Sequence, residues 1–292
     1  MPPSDGPSGE APASDGEAPG LGSRDARRAL LRRLDALALA AGAQILEHYA
    51  AAEVSAEWKA DGSPVTEADQ AAERVILAGL HDLGLALPVV AEEAAAAGDV
   101  PAIGGGPFVL VDPLDGTREF LSRNGEFTVN IAVIEDERPT LGLVHAPALG
   151  ETYGGLAGDG AWRRRGDRSS EAIRARACPA EGAVVVASRA HGDPAKIEAF
   201  LTDRRVAGRK TIGSSLKFCL LAAGEADLYP RFGRTMEWDT AAGHAVLAAA
   251  GGRVETVDGA PLTYGKPGFE NPEFVAWGRT DREVRDRAAE TT

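Results

Sequence analysis

The sequence predicts a mixed fold, α+β in its first half and α/β in its second, on three observations. Apolar residues recur at intervals of three and four from Arg24 to Tyr49, short apolar runs bounded by Gly and Pro follow, and the second half alternates strand-like and helix-like stretches. With 292 residues, 44% hydrophobic and 26% charged, the chain has material for a large buried core. That composition excludes a wholly disordered or collagen-like protein.

The elements follow in chain order. Residues 1–23 are almost wholly Pro, Gly, Ser, Ala, Asp and Glu, with no large apolar side chain between Met1 and Leu21. They read as a disordered tail, because nothing in them offsets the entropy of ordering. Leu30, Leu34, Leu37, Ala41, Ile45 and Tyr49 mark one face of an amphipathic helix. Thr66 is placed to cap a second helix, which runs through an Ala-rich stretch to Gly84. Strands are expected at Leu87–Ala91, Phe108–Val111, Phe127–Ile134 and Thr140–His145. Gly104-Gly105-Gly106 lacks the Lys-Ser/Thr and the following helix of a phosphate loop, and reads as a surface loop. The second half predicts a strand at Ala183–Ala187, helices at Pro194–Leu201 and Ser214–Ala223, a strand at Asp227–Tyr229, and a helix at Asp239–Ala250 stopped by Gly251-Gly252. The expected division is a larger part at 24–180, a smaller part at 181–282 sharing a packed interface with it, and a C-terminal tail at 283–292.

Charge narrows the partners. Lys and Arg number 31 against 44 Asp and Glu, a net charge of −13, so the body repels a polymeric nucleic acid. An anionic small substrate would need that charge reversed locally, most simply by cations held on clustered carboxylates. Cys178 and Cys219 make no disulfide framework and no zinc spacing, and no apolar run approaches the roughly 18 to 20 residues of a membrane span. The expectation is a cytoplasmic protein acting on a small molecule, with the oligomeric state left open.

The chemistry concentrates in Phe108-Val109-Leu110-Val111-Asp112-Pro113-Leu114-Asp115-Gly116-Thr117. A buried strand delivers two carboxylates around a Pro-Leu step, and Gly116 then permits a tight turn. Acids held so close raise one another's pKa unless cations neutralise them, and hard divalent ions with oxygen ligands do so. The ligands are then Asp112, Asp115 and a backbone carbonyl between them, with the amides of Gly116 and Thr117 open to a phosphate oxygen. On residue type alone a solvated β-turn explains the segment equally well. Two further acid-tipped elements favour the site: Val89-Val90-Ala91 leads into Glu92-Glu93, and Glu237-Trp238-Asp239 opens the Ala-rich helix, where anions are favoured.

The stretches Asp112-Pro113-Leu114-Asp115-Gly116-Thr117 and Trp238-Asp239-Thr240-Ala241-Ala242-Gly243-His244 together resemble the paired signatures of the inositol monophosphatase superfamily of magnesium-dependent, lithium-sensitive phosphatases. Four more are similar to its bacterial 3′(2′),5′-bisphosphate nucleotidase branch: the runs from Lys59 to Thr66, Arg123 to Ile131, Gly213 to Cys219 and Tyr229 to Phe232. The resemblance spans about residues 26 to 277 and implies a layered αβαβα sandwich with two or three Mg2+ ions per active site. The metal ligands it implies are Glu92, Asp112, the Leu114 carbonyl, Asp115 and Asp239. Glu92 and Thr117 would orient or activate the attacking water, with Asp69 supporting Thr117 or a weaker metal. Ala91 departs from the small polar residue or glycine usual before the Glu-Glu pair.

The implied reaction is hydrolysis of the 3′-phosphate of adenosine 3′,5′-bisphosphate, and also of 3′-phosphoadenylyl sulfate, by direct attack of water without a phosphoenzyme. The branch serves sulfur metabolism. An inositol or sugar monophosphatase is the competing reading, and a non-catalytic phosphate- or metal-binding module a third. Ser214, Ser215 and Lys217 suit nucleotide phosphate or ribose, though a helix cap and a surface cation explain them equally. Lys217 or Arg231 is the expected cation for the second phosphate. Asp69, three residues after Thr66, would be explained by a helix cap alone. Arg163-Arg164-Arg165 reads as a solvated hairpin, and His145 and His244 as structural.

Overall fold

A computed structural model describes residues 21–51, 55–59, 62, 64–189 and 192–279. In the first half its elements are α1 (Arg24–Ala50), β1 (Ala56–Trp58), β2 (Pro64–Thr66), α2 (Glu67–Asp82), β3 (Val89–Ala91), α3 (Glu92–Ala96), β4 (Phe108–Asp115), α4 (Thr117–Leu121), β5 (Thr128–Glu135), β6 (Arg138–Ala146), β7 (Glu151–Leu156), β8 (Gly160–Arg165) and β9 (Glu171–Ile173). Then come β10 (Ala183–Ala187), α5 (Pro194–Leu201), β11 (Val206–Thr211), α6 (Leu216–Ala222), β12 (Leu228–Arg231), α7 (Glu237–Ala249), β13 (Arg253–Thr256) and β14 (Phe274–Trp277). Residues 1–20 and 283–292, the bulk of the expected tails, lie outside the described residues. Leu21–Ser23 do not belong to a disordered tail: Leu21 is buried in the core, and the Ser23 hydroxyl caps α1 by accepting from the Ala26 amide at 3.1 Å.

Strands β3 to β9 form one seven-stranded sheet in sequence order, antiparallel except for the β3–β4 pair. The second sheet has the order β11-β10-β12-β14-β13. Both faces of the first sheet are covered, which explains why its central strands read as continuous apolar runs rather than alternating ones. Val109 and Val111 of β4, with Val129, Ile131 and Val133 of β5, face the helices α1 and α2. Their alternate neighbours Phe108, Leu110, Ala132 and Ile134 share a core with α6, α7 and the inner face of the second sheet. On that sheet's outer face Val185, Leu228 and Val275 pack against Ile197, Phe200 and Leu201 of α5. The order is therefore helix, sheet, helix, sheet, helix, the layered αβαβα arrangement.

Helix α7 lies unusually deep against the first sheet. A Cβ added at Gly142 of β6 would stand 2.5 Å from the Ala242 carbonyl oxygen, and one at Gly155 of β7 2.6 Å from the Val246 Cα. Only glycine admits the helix backbone at those points. Among the described residues no helix is long and apolar enough to cross a membrane.

Strand β7 and the β8–β9 extension of the sheet were not expected from sequence, nor were β11, β13 and β14. The arginine run is in a hairpin strand, as expected, with Arg165 exposed, but Arg163 and Arg164 are partly buried rather than solvated. Arg163 donates to Glu225 at 2.6 Å and Glu171 at 2.8 Å, Arg164 to Asp35 at 2.6 Å and Arg165 to Glu151 at 2.8 Å.

Candidate active site

The Asp112-Pro113-Leu114-Asp115 segment is not a turn beyond the strand end. Strand β4 continues through it with a bulge: Asp112 faces Asn130 of β5 and Asp115 faces Thr128, so that Pro113 and Leu114 stand opposite the single residue Val129. Pro113 has no N–H to give the ladder, so the irregularity falls where the donor is missing. Acids three apart on a regular strand would point to opposite faces, and the extra residue cancels that flip. Gly116 follows at φ 96°, a left-handed conformation that favours glycine, and reverses the chain into α4.

Asp112, Asp115, Glu92 and Asp239 line one cleft of about 360 Å³, together with Gly116 and Thr117. Glu92 enters as the first residue of α3, immediately after β3, which lies parallel to β4. Asp239 comes from across the cleft, in the first turn of α7, where its Oδ2 accepts from the Met236 amide at 2.8 Å. Helix α7 starts at Glu237, two residues earlier than expected, so Asp239 sits within that turn rather than at its edge.

The acids crowd one another electrostatically. Burial, reinforced by Glu92, Asp115 and Asp239, holds Asp112 well above the usual carboxylate range. Asp239 is pushed up to about 8 by burial and by Asp115 and Glu92. Asp115 rises to about 6 through burial, against the pull of Lys217 and of hydrogen bonds from Asn130 at 3.3 Å and the Ser215 amide at 2.5 Å. Beside them, the Thr117 hydroxyl donates to Asp69 Oδ1 at 3.2 Å. The other Asp69 oxygen accepts from the Thr66 amide at 2.8 Å and the Thr66 hydroxyl at 2.7 Å, so one carboxylate both caps α2 and holds Thr117. Burial raises Asp69 to about 6.

The donor set suits a hard divalent cation: carboxylates from three separate elements, Asp112 buried and Glu92, Asp115 and Asp239 partly buried, with backbone carbonyls between them. As they stand, no three acidic, histidine or cysteine side chains among the described residues are gathered tightly enough to clasp one ion. Glu92 is instead held by a protein cation, the Lys59 Nζ, which donates at 2.7 Å to Glu92 Oε1 and at 2.7 Å to Glu93 Oε1.

The sequence pattern of the inositol monophosphatase family matches residues 28–289. This chain belongs to that family. The family is metal-dependent, generally with Mg2+. A relative named 3′(2′),5′-bisphosphate nucleotidase CysQ, from Escherichia coli O157:H7, is 46% identical over 248 residues, covering 84% of this chain and 98% of the relative. Among solved structures, CysQ from Bacteroides thetaiotaomicron, titled a bacterial member of the inositol monophosphatase family, superposes with a TM-score of 0.72 at 36% identity, over 86% of this chain and 97% of that one. The inositol monophosphatase from Anabaena (Nostoc) sp. PCC 7120 matches with a TM-score of 0.68 at 25% identity, over 91% and 97%.

Within the inositol monophosphatase site several residues do something other than the sequence suggests. Ser215 does not line the cleft: its hydroxyl is buried, donates to Asn130 Oδ1 at 2.7 Å and lies 2.9 Å from the Thr128 hydroxyl, while its amide holds Asp115. It is a brace for an acid rather than a substrate contact. Ser214 does line the cleft, in a left-handed conformation at φ 49°. Lys217 is not a surface cation. It is buried, donates to the carbonyls of Ser214 at 2.5 Å and Ile212 at 3.3 Å, and burial lowers it to about 8. Arg231 is also buried at the cleft and donates to the Arg234 carbonyl at 2.8 Å.

Two contributors were missed. The Glu73 carboxylate accepts from the amides of Glu93 at 2.8 Å and Ala94 at 2.9 Å, satisfying the start of α3 that Ala91, with no hydroxyl, leaves uncapped. The signal was present, since Glu73 lies four residues after Asp69 on the same helix face. The other is Lys59, whose motif neighbours Ala60, Asp61 and Ser63 lie outside the described residues. His145 and His244 are structural, as expected: each is buried, His244 Nδ1 lies 2.9 Å from the Tyr264 hydroxyl, and His145 Nδ1 lies 3.0 Å from that of Thr152.

Proposed function

We propose that this chain is a 3′(2′),5′-bisphosphate nucleotidase, hydrolysing the 3′-phosphate of adenosine 3′,5′-bisphosphate to AMP and phosphate and accepting 3′-phosphoadenylyl sulfate as well. In this reading it recycles a by-product of sulfate activation in the cytoplasm. The observation that carries the reading is the set of mutually repelling acids converging in the cleft beside the Thr117–Asp69 pair, in a chain 46% identical to a relative of that name.

Glu92, Asp112, the Leu114 carbonyl, Asp115 and Asp239 would hold two or three Mg2+ ions. Magnesium, when bound, supplies charge neutralisation of the phosphate and a more acidic water. Thr117 donates its hydroxyl hydrogen to Asp69, so its oxygen lone pairs are left to accept a hydrogen bond from the attacking water and fix its direction. Glu92 takes the proton that water releases. The amides of Gly116 and Thr117 receive a phosphate oxygen, and Asp239, across the cleft, orients the ribose side of the substrate. Thr117 has no neighbouring His in sequence, and its hydroxyl, held by an Asp69 that also holds Thr66, serves to position water, so in this reading water attacks the phosphorus directly.

Phosphate release from adenosine 3′,5′-bisphosphate and from inositol 1-phosphate, each with Mg2+ and with chelator, tests this. Mg2+-dependent preference for the bisphosphate supports it. Preference for inositol 1-phosphate would overturn the substrate, and release that survives chelation would overturn the metal.

A further inference from the structure

Among the described residues that line the cleft, none comes from the segment that joins β13 to β14. That segment is nevertheless bound closely to the start of α7, the helix that carries Asp239. Asn271, only 5% exposed, has its side-chain amide fully used there. Its Nδ2 donates to the Met236 carbonyl at 2.8 Å and to the Thr240 hydroxyl at 3.0 Å, and its Oδ1 accepts from Lys266 Nζ at 3.3 Å. Its backbone N–H donates to the Thr235 carbonyl at 2.9 Å.

These bonds grip two successive peptide units. The Thr235 carbonyl and the Met236 N–H belong to one planar unit and point in opposite directions. Holding the carbonyl therefore aims the N–H, which donates to Asp239 Oδ2 at 2.8 Å. The Nδ2 bonds fix the next unit through the Met236 carbonyl and reach Thr240, the neighbour of Asp239 in the chain. Met236 stands at the N-cap and has no side-chain oxygen with which to fix the turn itself. Lys266 extends the brace: it pairs at 2.6 Å with the wholly buried Glu237, whose carboxylate also accepts from the amides of Gly265 at 2.7 Å and Lys266 at 2.9 Å. With Oδ2 of Asp239 committed to Met236, Oδ1 is left to a cation.

We propose that Asn271 is a positioning residue for the metal site: by gripping Met236 and Thr240 it aims Asp239 into the cleft. The proposal rests on the reading in which Asp239 holds Mg2+. The test is binding of Mn2+, followed by calorimetry on the full chain with no substrate present. In Asn271→Ala the affinity of one Mn2+ site should fall roughly tenfold. Asn271→Asp keeps the shape but cannot donate to Met236; it should show the same loss, and it stands in if the alanine variant does not fold. Tyr264→Phe removes a buried hydroxyl that lies 2.9 Å from His244 Nδ1 and 3.3 Å from the Thr240 hydroxyl, without touching Met236. It should lower the melting temperature about as much as Asn271→Ala, yet leave Mn2+ affinity within about twofold. Added to Asp239→Asn, Asn271→Ala should weaken the site no further, because residues acting through one contact are not additive. Unchanged affinity in the Asn271 variants, an equal loss in Tyr264→Phe, or an additive loss in the double variant overturns the positioning role and leaves Asp239 as a ligand. If Asp239→Asn alone leaves Mn2+ binding unchanged, the ligand reading falls and the positioning role falls with it.

Discussion

Glu92, Asp112, Asp115 and Asp239 at the cleft and Arg163, Arg164 and Arg165 along β8 are both concentrations of like charge, yet only the second is paired throughout with opposite charge. The arginines meet Glu225, Glu171, Asp35 and Glu151 in close pairs. Among the acids Glu92 has Lys59, but Asp112 and Asp239 are held far above the usual carboxylate range by burial and by the other acids. A balanced network serves the fold. An unbalanced one is maintained against the fold's own stability and marks the place where a cation and a reaction belong.

The largest break in that contrast should come from Asp112→Asn, which keeps the volume and removes a proposed ligand. We expect kcat to fall roughly a thousandfold while the melting temperature in chelator stays level or rises, because a repelling charge has gone. Full activity in the variant would remove Asp112 from the metal site.

The second contrast is read by pH. Glu93, raised to about 7, and Asp239, raised to about 8, keep protons in the folded state that the unfolded chain has lost. Stability of the metal-free protein should therefore fall as pH rises from about 6.5 to 8. Below that window His145 and His244, lowered to about 4 and about 3, oppose the trend, since they charge more readily in the unfolded chain. Melting temperatures in chelator across the window, repeated with Mg2+, give the check: a decline that Mg2+ flattens is expected, and a flat metal-free profile would count against the crowded acids.

The smallest effect should be Arg163→Ala at the balanced edge. It loses pairs to Glu171 and Glu225, about 1 kcal/mol of stability at most by denaturant titration, with kcat and KM unchanged. A fall in kcat would mean that the two charged regions are coupled.

Legibility from sequence followed the range of the interactions. Strand β10 and helix α5 were read with the bounds they have, since apolar runs and a Pro-started helix are local signals. The Asp-Pro-Leu-Asp signature located the site but not its shape. A bulge is a relation between two strands, and only the pairing of β4 with β5 exposes it. Strands β7 and β8 were obscured by Gly154, Gly155 and the arginines, which look like loop residues until the helix or carboxylates they accommodate are seen. Glu73, Ser215 and Lys59 act on acids that are distant in sequence or on another element, which no window along the chain reports.

The glycines under α7 have a bearing on the dimensions of the candidate site. Asp239 rides on that helix, while Asp112 and Asp115 ride on the sheet beneath it. The thickness of the contact at Gly142 and Gly155 thus sets how far apart the two sets of oxygens stand. Two missing methyl groups in the core act as a spacer gauge, fixing how closely Asp239 approaches Asp112 and Asp115 from the side of the helix packed on the sheet.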